Sequence, residues 1–328
     1  MSSALPPLLR RTLLCVAGLL SLWLAPTPVE AREPSDLART HMVAAAHPAA
    51  SDAGLAMLRA GGSAVDAAIA VQLVLGVVEP QASGIGGGGF LVHYDARSRQ
   101  VTTWDGRETA PAGASESLFL GADGKPLPFP QAVVSGLSVG VPGVMRLLEA
   151  AHRQHGKLPW RSLFAPAIKL AEDGFAVPPR LARALSSEVA LREDPQGRSI
   201  FFNDDGSPRK PGDIIRNPAL AETLRQLAEH GADALHVGPL AEAIAAAVRR
   251  EPRPGAMTNG DLAAYRPLAR APLCGRYRDW SICGIAPPSS GPLAVLQALA
   301  VMQRSTVPAD TAAQSAHRLA EASRLAFA

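Results

Sequence analysis

Residues 60–90 read AGGSAVDAAIAVQLVLGVVEPQASGIGGGGF, and this stretch decides the fold. The run from Ser63 to Val78 contains a single ionisable residue, Asp66, so nearly every face of the helix it predicts is apolar. A helix of this kind must be buried between other layers of structure. The glycines of residues 84–89 then lead into a β-like run. The stretch therefore predicts a buried helix followed by a glycine-rich loop and a strand.

Strand and helix patterns continue on both sides of this stretch. A first β hairpin is predicted from residues 90–94 and 101–105, and a second around Tyr277. Helices are predicted over residues 51–60, 142–155, 160–174, 179–191, 218–230, 239–250, 293–303 and 310–328, whereas residues 195–217 are polar, with a turn at 203–206. Helical blocks before, between and after two sets of strands indicate an α/β (α+β) layered domain.

Length, charge and the N-terminus limit the class of protein. The chain has 328 residues, 47% of them apolar, which is ample for a hydrophobic core. Arg10 and Arg11 precede an apolar run, residues 13–24, that is shorter than the ~20 residues of a membrane-spanning helix. This layout predicts a signal peptide over residues 1–31, with cleavage after Ala31, and a periplasmic or secreted protein. The formal net charge of +3, without a basic block, does not indicate a nucleic-acid partner.

Two cysteines flank the second predicted hairpin. If Arg278 and Asp279 form a two-residue loop, Cys274 faces Cys283 across a non-hydrogen-bonded pair of the two strands. An exported protein can oxidise such a pair to a disulfide. Arg-Asp is a poor two-residue turn, however, so two reduced thiols on a strand are the alternative.

The glycine run at residues 84–89 formally contains the dinucleotide-binding pattern G-x-G-x-x-G. That pattern must follow a strand and open a helix, so that the pyrophosphate can lie at the helix N-terminus. Here a helix precedes the glycines and a strand follows them. We therefore predict no nucleotide and no other cofactor, and interpret the run as a loop that packs closely or forms the wall of a cleft.

A second motif, Gly136-Leu137-Ser138-Val139-Gly140, matches the G-x-S-x-G pattern of serine hydrolases. Residues 132–134 could supply the strand that precedes such a nucleophile, although the next helix begins only at Pro142. The partners would come from Asp233, Asp261, His230, His236 or His317, and no spacing singles out any of them. A serine hydrolase is therefore the alternative reading from a different class.

Two further groups of residues are candidate sites. His152 and His155 lie three apart on one predicted helix, but no nearby residue completes a metal shell, and we predict no metal. Arg107 follows a predicted strand, where a guanidinium can bind a carboxylate through two hydrogen bonds. From its neighbours alone, a solvated ion pair with Glu108 is the simpler interpretation of Arg107.

Several blocks together resemble the large subunit of the γ-glutamyltranspeptidase (glutathione hydrolase) family. They occur in collinear order at residues 60–71, 79–90, 105–111, 141–143, 170–175, 261–265 and 287–291. The resemblance implies an N-terminal-nucleophile hydrolase with a four-layer αββα sandwich, of which residues 32–328 form an incomplete single domain. It also implies a precursor that cuts itself into a large and a small subunit. Within this family pattern, Arg107 matches the arginine that holds the substrate's α-carboxylate.

The resemblance further implies an activity. The family transfers the γ-glutamyl group of glutathione and related compounds to water, amino acids or dipeptides, through an ester on a threonine that self-cleavage exposes. We expect the chain to stop before that threonine, so that it contains no catalytic residue and is inactive alone. Pro292, where the family often repeats glycine, leaves the local loop geometry open. A non-catalytic exported binding protein is a further alternative, and action on cephalosporin-type substrates is not distinguished by the sequence.

Overall fold

The computed structural model describes residues 38–305 and 311–328. The predicted signal peptide lies outside these residues. Residues 41–328 form one compact unit. Within the described ranges, no helix is long and apolar enough to cross a membrane.

The described chain alternates helices with short antiparallel strands. The α-helices are α1 (Pro48–Arg59), α2 (Ala64–Val78), α3 (Phe129–Val133), α4 (Val144–His155), α5 (Ala165–Asp173), α6 (Pro179–Ser187), α7 (Val189–Glu193), α8 (Pro195–Phe201), α9 (Pro218–His230), α10 (Asp233–His236), α11 (Pro239–Val248), α12 (Asn259–Ala264), α13 (Gly291–Arg304) and α14 (Ala312–Ala326). The strands are β1 (Gly89–Asp95), β2 (Gln100–Gly106), β3 (Phe175–Ala176), β4 (Ile214–Ile215), β5 (Leu268–Arg270), β6 (Leu273–Tyr277) and β7 (Trp280–Gly284). This arrangement confirms the predicted mixed α/β class.

Helix α2 is the buried helix that residues 60–90 predict. Ser63 caps it, because its hydroxyl accepts from the Asp66 N–H at 3.2 Å and the Asp66 carboxylate accepts from the Ser63 N–H at 2.7 Å. Its apolar side chains lie in the main core, where Ile69 is fully buried. Asp66 is also fully buried, and it accepts two more N–H groups from the segment after α4, at 2.9 and 3.2 Å. The one charged residue of the helix thus fixes a neighbouring chain segment.

Strands β1, β2 and β5 form a three-stranded antiparallel sheet, with Phe90 opposite Asp105. One face of this sheet packs on α4, where His93 stacks on His155 with ring centroids 4.0 Å apart. The other face leaves Val92, Tyr94 and Leu268 exposed by 49%, 58% and 51%. Within the described residues, the sheet therefore has helix α4 on one face and several exposed apolar side chains on the other.

The second predicted hairpin is β6–β7, in the predicted register. Cys274 lies opposite Cys283, and the two form a disulfide with their Cα atoms 4.1 Å apart. The Arg278-Asp279 loop is possible because Arg278 adopts a left-handed φ of 53°. Pro292 occupies the first turn of α13, a position that proline tolerates. The departure from the family's glycine therefore leaves the helix start intact.

Several helices differ from the prediction in their boundaries or were not predicted. Helix α1 begins at Pro48 and not near Ser51, because the His47 imidazole accepts from the Ala49 N–H at 3.2 Å and acts as the cap. The polar region 195–217 contains α8, which Asp194 caps by accepting from the Gly197 N–H at 2.7 Å. The cap of α14 is Thr311, whereas Asp310, the predicted cap, lies outside the described residues.

Candidate functional site

Arg107 follows the last residue of β2 and is exposed. The predicted ion pair with Glu108 is absent, and the guanidinium makes no hydrogen bond or salt bridge to residues 38–305 or 311–328. The expectation drawn from neighbouring residues was therefore wrong. The side chain of Arg107 is free to receive a negatively charged group.

The main chain of Arg107, in contrast, is fixed from two sides. Its N–H donates to the Asp105 carboxylate at 2.9 Å, and its carbonyl accepts from the Tyr265 hydroxyl at 2.8 Å. Asp105 is itself held by Arg270, whose Nε donates to the second carboxylate oxygen at 2.7 Å. Because Asp105 is neutralised by Arg270, it does not compete with a ligand for the Arg107 guanidinium. We call these three residues, Asp105, Tyr265 and Arg270, the Arg107 clamp.

The phenol of Tyr265 is held as a hydrogen-bond donor. Burial, with smaller contributions from the carboxylates of Asp105 and Glu108, raises the pKa of Tyr265 to about 12. The hydroxyl therefore keeps its proton at neutral pH. Behind it, the buried guanidinium of Arg146 donates to the carbonyl of Tyr265 and to that of Ala263 at 3.0 Å, and it pairs with Asp233 at 2.8 Å. This arginine joins α4 to the segment that carries the phenol.

His236 lies next to Tyr265 in the interior of the protein. Its ring is fully buried, with its centroid 6.0 Å from that of Tyr265. The two ring nitrogens lie 3.0 Å from the carbonyl oxygens of Ala232 and Pro142. Burial lowers the pKa of His236 below its usual 6.5, although the two carbonyl groups act in the opposite direction. A buried imidazole that contacts backbone carbonyls therefore packs behind the tyrosine.

The glycine run packs directly against the segment that carries Arg107. The carbonyl of Gly87 accepts from the N–H groups of Gly143 and Val144, at 2.9 and 3.0 Å, and thereby joins the loop to the start of α4. A Cβ on Gly88 would lie 2.6 Å from the Glu108 carboxylate, and one on Gly143 would lie 2.2 Å from the Tyr265 hydroxyl. Only glycine permits these approaches without displacement of the neighbouring atoms. The run is thus a close-packed wall beside Arg107, as the sequence analysis predicted.

The serine-hydrolase geometry is not present at Ser138. Residues 132–134, the predicted strand, instead end helix α3, and Ser138 closes a single 3₁₀ turn. The Ser138 hydroxyl donates to the carbonyls of Val133 and Ser135, at 3.0 and 3.1 Å. Its proton therefore goes to backbone oxygens and not to a histidine. A nucleophile elbow requires a strand-to-helix turn that exposes the serine to such a base, so the alternative reading at Ser138 lacks the geometry it needs.

The two histidines of α4 contact different neighbours. His152 Nε2 lies 2.9 Å from the Leu158 carbonyl and 3.5 Å from the Asp66 carboxylate, whereas His155 stacks on His93. In the part of the chain that the structure describes, no group of three or more histidine, cysteine or carboxylate side chains is placed to hold a metal ion.

The sequence predicted a role for Arg107 but for none of the residues of the Arg107 clamp. Asp105 and Tyr265 both lie in blocks that carry the family resemblance, and that was the only signal that could have pointed to them. Arg146, Arg270 and His236 had no such signal, because their contacts join residues far apart in the chain.

The comparisons with known proteins identify the family of the chain. The family model for γ-glutamyltranspeptidase matches residues 50–328. The chain is 38% identical to a protein named glutathione hydrolase proenzyme from Bacillus subtilis, over 88% of this chain and 51% of the relative. It is 37% identical to the protein of the same name from Escherichia coli, over 81% of this chain and 45% of the relative. It thus spans about half the length of these curated relatives.

A solved structure shows the same fold. The γ-glutamyltranspeptidase of Helicobacter pylori superposes with a TM-score of 0.81 at 34% identity, covering 89% of this chain and 83% of that chain. This match confirms the N-terminal-nucleophile hydrolase fold that the resemblance implied. The chain belongs to the γ-glutamyltranspeptidase family.

Proposed function

We propose that this chain is the large-subunit part of a γ-glutamyltransferase that also acts as a glutathione hydrolase. The observation that carries the proposal is the Arg107 guanidinium, exposed and unpaired among the described residues, on a main chain that the clamp fixes. The names of the relatives from Bacillus subtilis and Escherichia coli support glutathione as a donor. No cofactor is part of the proposed reaction.

In the proposed reaction, Arg107 binds the α-carboxylate of the γ-glutamyl donor. A planar guanidinium can donate two parallel hydrogen bonds to a carboxylate, which fixes both position and orientation. Because the Arg107 main chain is fixed, less freedom is lost when the donor binds. The bound carboxylate then sets the distance from Arg107 to the γ-carbonyl, the atom that a nucleophile must reach.

We further propose that the nucleophile is a threonine in the other half of the precursor. Attack of its hydroxyl on the γ-carbonyl expels the amine, which is cysteinylglycine when the donor is glutathione, and leaves a γ-glutamyl ester. Water then releases glutamate, or the amino group of an amino acid or dipeptide receives the γ-glutamyl group. The proenzyme names of the relatives support a precursor of this kind.

The open face of the β1–β2–β5 sheet is the surface on which we place the small-subunit part. Val92 and Tyr94 of β1 and Leu268 of β5 are exposed apolar residues on this face. Apolar sheet faces are stable when a second layer covers them, and the αββα sandwich of the family has two sheets packed face to face. The small subunit from the same precursor would supply the second sheet.

We also propose that the protein is exported, to the periplasm or outside the cell. The charged and apolar pattern of residues 1–31 supports this proposal, and so does the Cys274–Cys283 disulfide, because disulfides persist mainly in oxidising compartments.

Turnover of a chromogenic γ-glutamyl anilide tests the proposed function. The complete precursor should cut itself in two and release the anilide, whereas residues 32–328 alone should release none. A Ser138→Ala precursor should keep full activity, because the Ser138 hydroxyl is bonded to backbone carbonyls. Turnover by residues 32–328 that Ser138→Ala abolishes would instead support a serine hydrolase. A precursor that neither cleaves itself nor turns over the anilide would support a binding protein.

A further inference from the structure

The disulfide of the β6–β7 hairpin lies on the outer face of that hairpin. Side chains alternate along a strand, so Cys274 and Arg276 share one face of β6. Their partners across the hairpin, Cys283 and Ser281, belong to the same face. Cys274 is exposed and Cys283 is half-buried. The sulfur atoms are therefore open to solvent from the Cys274 side.

The inner face of the hairpin provides its attachment to the rest of the protein. A Cβ on Gly284 would lie 2.4 Å from Pro292 of α13, and one on Gly275 would lie 2.8 Å from Leu296. The two strands are also joined by a regular antiparallel ladder from Leu273 to Gly284. The disulfide thus closes only a short loop that the backbone ladder already closes, and short loops gain the least stability from a cross-link.

A positively charged side chain shares the face of the disulfide. Arg276 lies two residues from Cys274 on that face, whereas Arg278 lies 5.2 Å from the centroid of the Tyr277 ring, which belongs to the opposite face. Asp279 is the one carboxylate in the loop. The local charge is therefore positive, which stabilises thiolates and attracts small molecules that carry carboxylates.

We propose that Cys274–Cys283 is a thiol–disulfide exchange site for small anionic thiols of the glutathione class. The thiolate of such a molecule attacks Sγ of Cys274 and forms a mixed disulfide, while the Cys274–Cys283 bond breaks and its electron pair leaves with Cys283. The Cys283 thiolate then takes a proton from water. A second thiol attacks the mixed disulfide, which yields the oxidised thiol dimer and two protein thiols.

The incoming thiolate attacks Cys274 because this residue is exposed, whereas its partner Cys283 is half-buried. Cys283 remains directly opposite the mixed disulfide and can reverse the first step. The site therefore responds to the ratio of thiol to its oxidised dimer. The identity of the thiol rests on the proposed function, because glutathione would be the substrate of such an enzyme. The exchange reaction itself does not depend on the proposed function.

Tryptic mapping of the folded full-length protein tests the proposal. The protein is incubated with reduced glutathione in native buffer, quenched with acid, alkylated and digested. The disulfide links peptide 271–276 to peptide 279–304, and reduction separates them. We expect millimolar glutathione to separate the two peptides while the far-ultraviolet circular dichroism stays unchanged, and we expect a glutathione adduct on peptide 271–276 at early times.

Variants distinguish exchange at a site that recognises anionic thiols from unspecific reduction of an exposed disulfide. Arg276→Gln should slow the reaction with glutathione severalfold and should slow the reaction with 2-mercaptoethanol, which carries no carboxylate, much less. In this variant the first peptide extends to Arg278. Arg97→Gln, the same charge change in the β1–β2 link, should slow neither reaction. Peptides that stay linked until denaturant unfolds the protein would overturn the proposal, and so would an adduct found mainly on peptide 279–304. Thiol–disulfide exchange without any γ-glutamyl turnover would support the exchange site and refute only the proposed function.

Discussion

Tyr265→Phe removes one hydroxyl from the Arg107 clamp and leaves the ring in place. The hydroxyl donates to the Arg107 carbonyl at 2.8 Å, and the ring packs in a small buried cluster with Met257 and Leu262. A neutral hydrogen bond contributes about 0.5–1.5 kcal/mol net. Because Arg107 is exposed, water can replace the lost donor, and we expect a loss of about 1 kcal/mol. For a chain of this size, that loss lowers Tm by roughly 2 °C.

The same substitution should affect substrate binding more than chemistry. Once its carbonyl is released, the Arg107 main chain must be ordered when the donor binds, so we expect KM for a γ-glutamyl anilide to rise about fivefold, the equivalent of about 1 kcal/mol. In the complete precursor, kcat should change little. Tyr277→Phe removes the same atom from the β6–β7 hairpin and is the matched control. A lower Tm with an unchanged KM would refute the reasoning, because Tyr265 would then only stabilise the fold.

Three other predictions concern the framework around the site. Asp66→Asn should lower the free energy of unfolding by about 2–3 kcal/mol in urea titrations, because a buried carboxylate that accepts three backbone N–H groups loses its charge; a loss below about 0.5 kcal/mol would contradict this account. Gly143→Ala should cost about 1–3 kcal/mol and raise KM, since its Cβ would lie 2.2 Å from the Tyr265 hydroxyl, and an unchanged Tm would show that the loop simply moves. The free energy of unfolding should fall as the pH drops below 6.5, because burial lowers the folded-state pKa of His236 and the unfolded chain therefore takes up the proton first. This loss of stability is complete once the pH lies below the folded-state pKa. His236→Gln should flatten this pH dependence, and a wild-type stability that rises on acidification would have the wrong sign.

The fold was largely predictable because local chemistry sets its main elements. The almost uncharged run of α2 had to be buried, and the spacing of Cys274 and Cys283 places them opposite each other once the hairpin forms, although it leaves open whether they form a disulfide. Helix boundaries were less predictable, because several residues near each boundary can serve as a cap. His47 capped α1, and the sequence favoured Ser51.

The site was predictable only in part, because its residues meet through tertiary contacts. Arg107 and Tyr265 are separated by 158 positions, and Asp105 and Arg270 by 165. No periodicity in the sequence connects them. At Ser138 the sequence motif is present but the backbone does not fit it. The G-x-S-x-G residues form a 3₁₀ turn after a helix, and the Ser138 hydroxyl donates to carbonyl groups.

The role proposed for Arg107 is to bind the α-carboxylate of the γ-glutamyl donor. It is tested most directly by Arg107→Ala in the complete precursor with two anilides, the γ-glutamyl compound and the 4-aminobutyryl compound that lacks the α-carboxylate. Hydrogen bonds to a charged group are worth about 1.5–3 kcal/mol, so kcat/KM for the γ-glutamyl anilide should fall roughly 10- to 100-fold. The 4-aminobutyryl anilide should lose nothing further. Equal losses for both anilides, or no loss for either, would show that Arg107 does not hold the carboxylate.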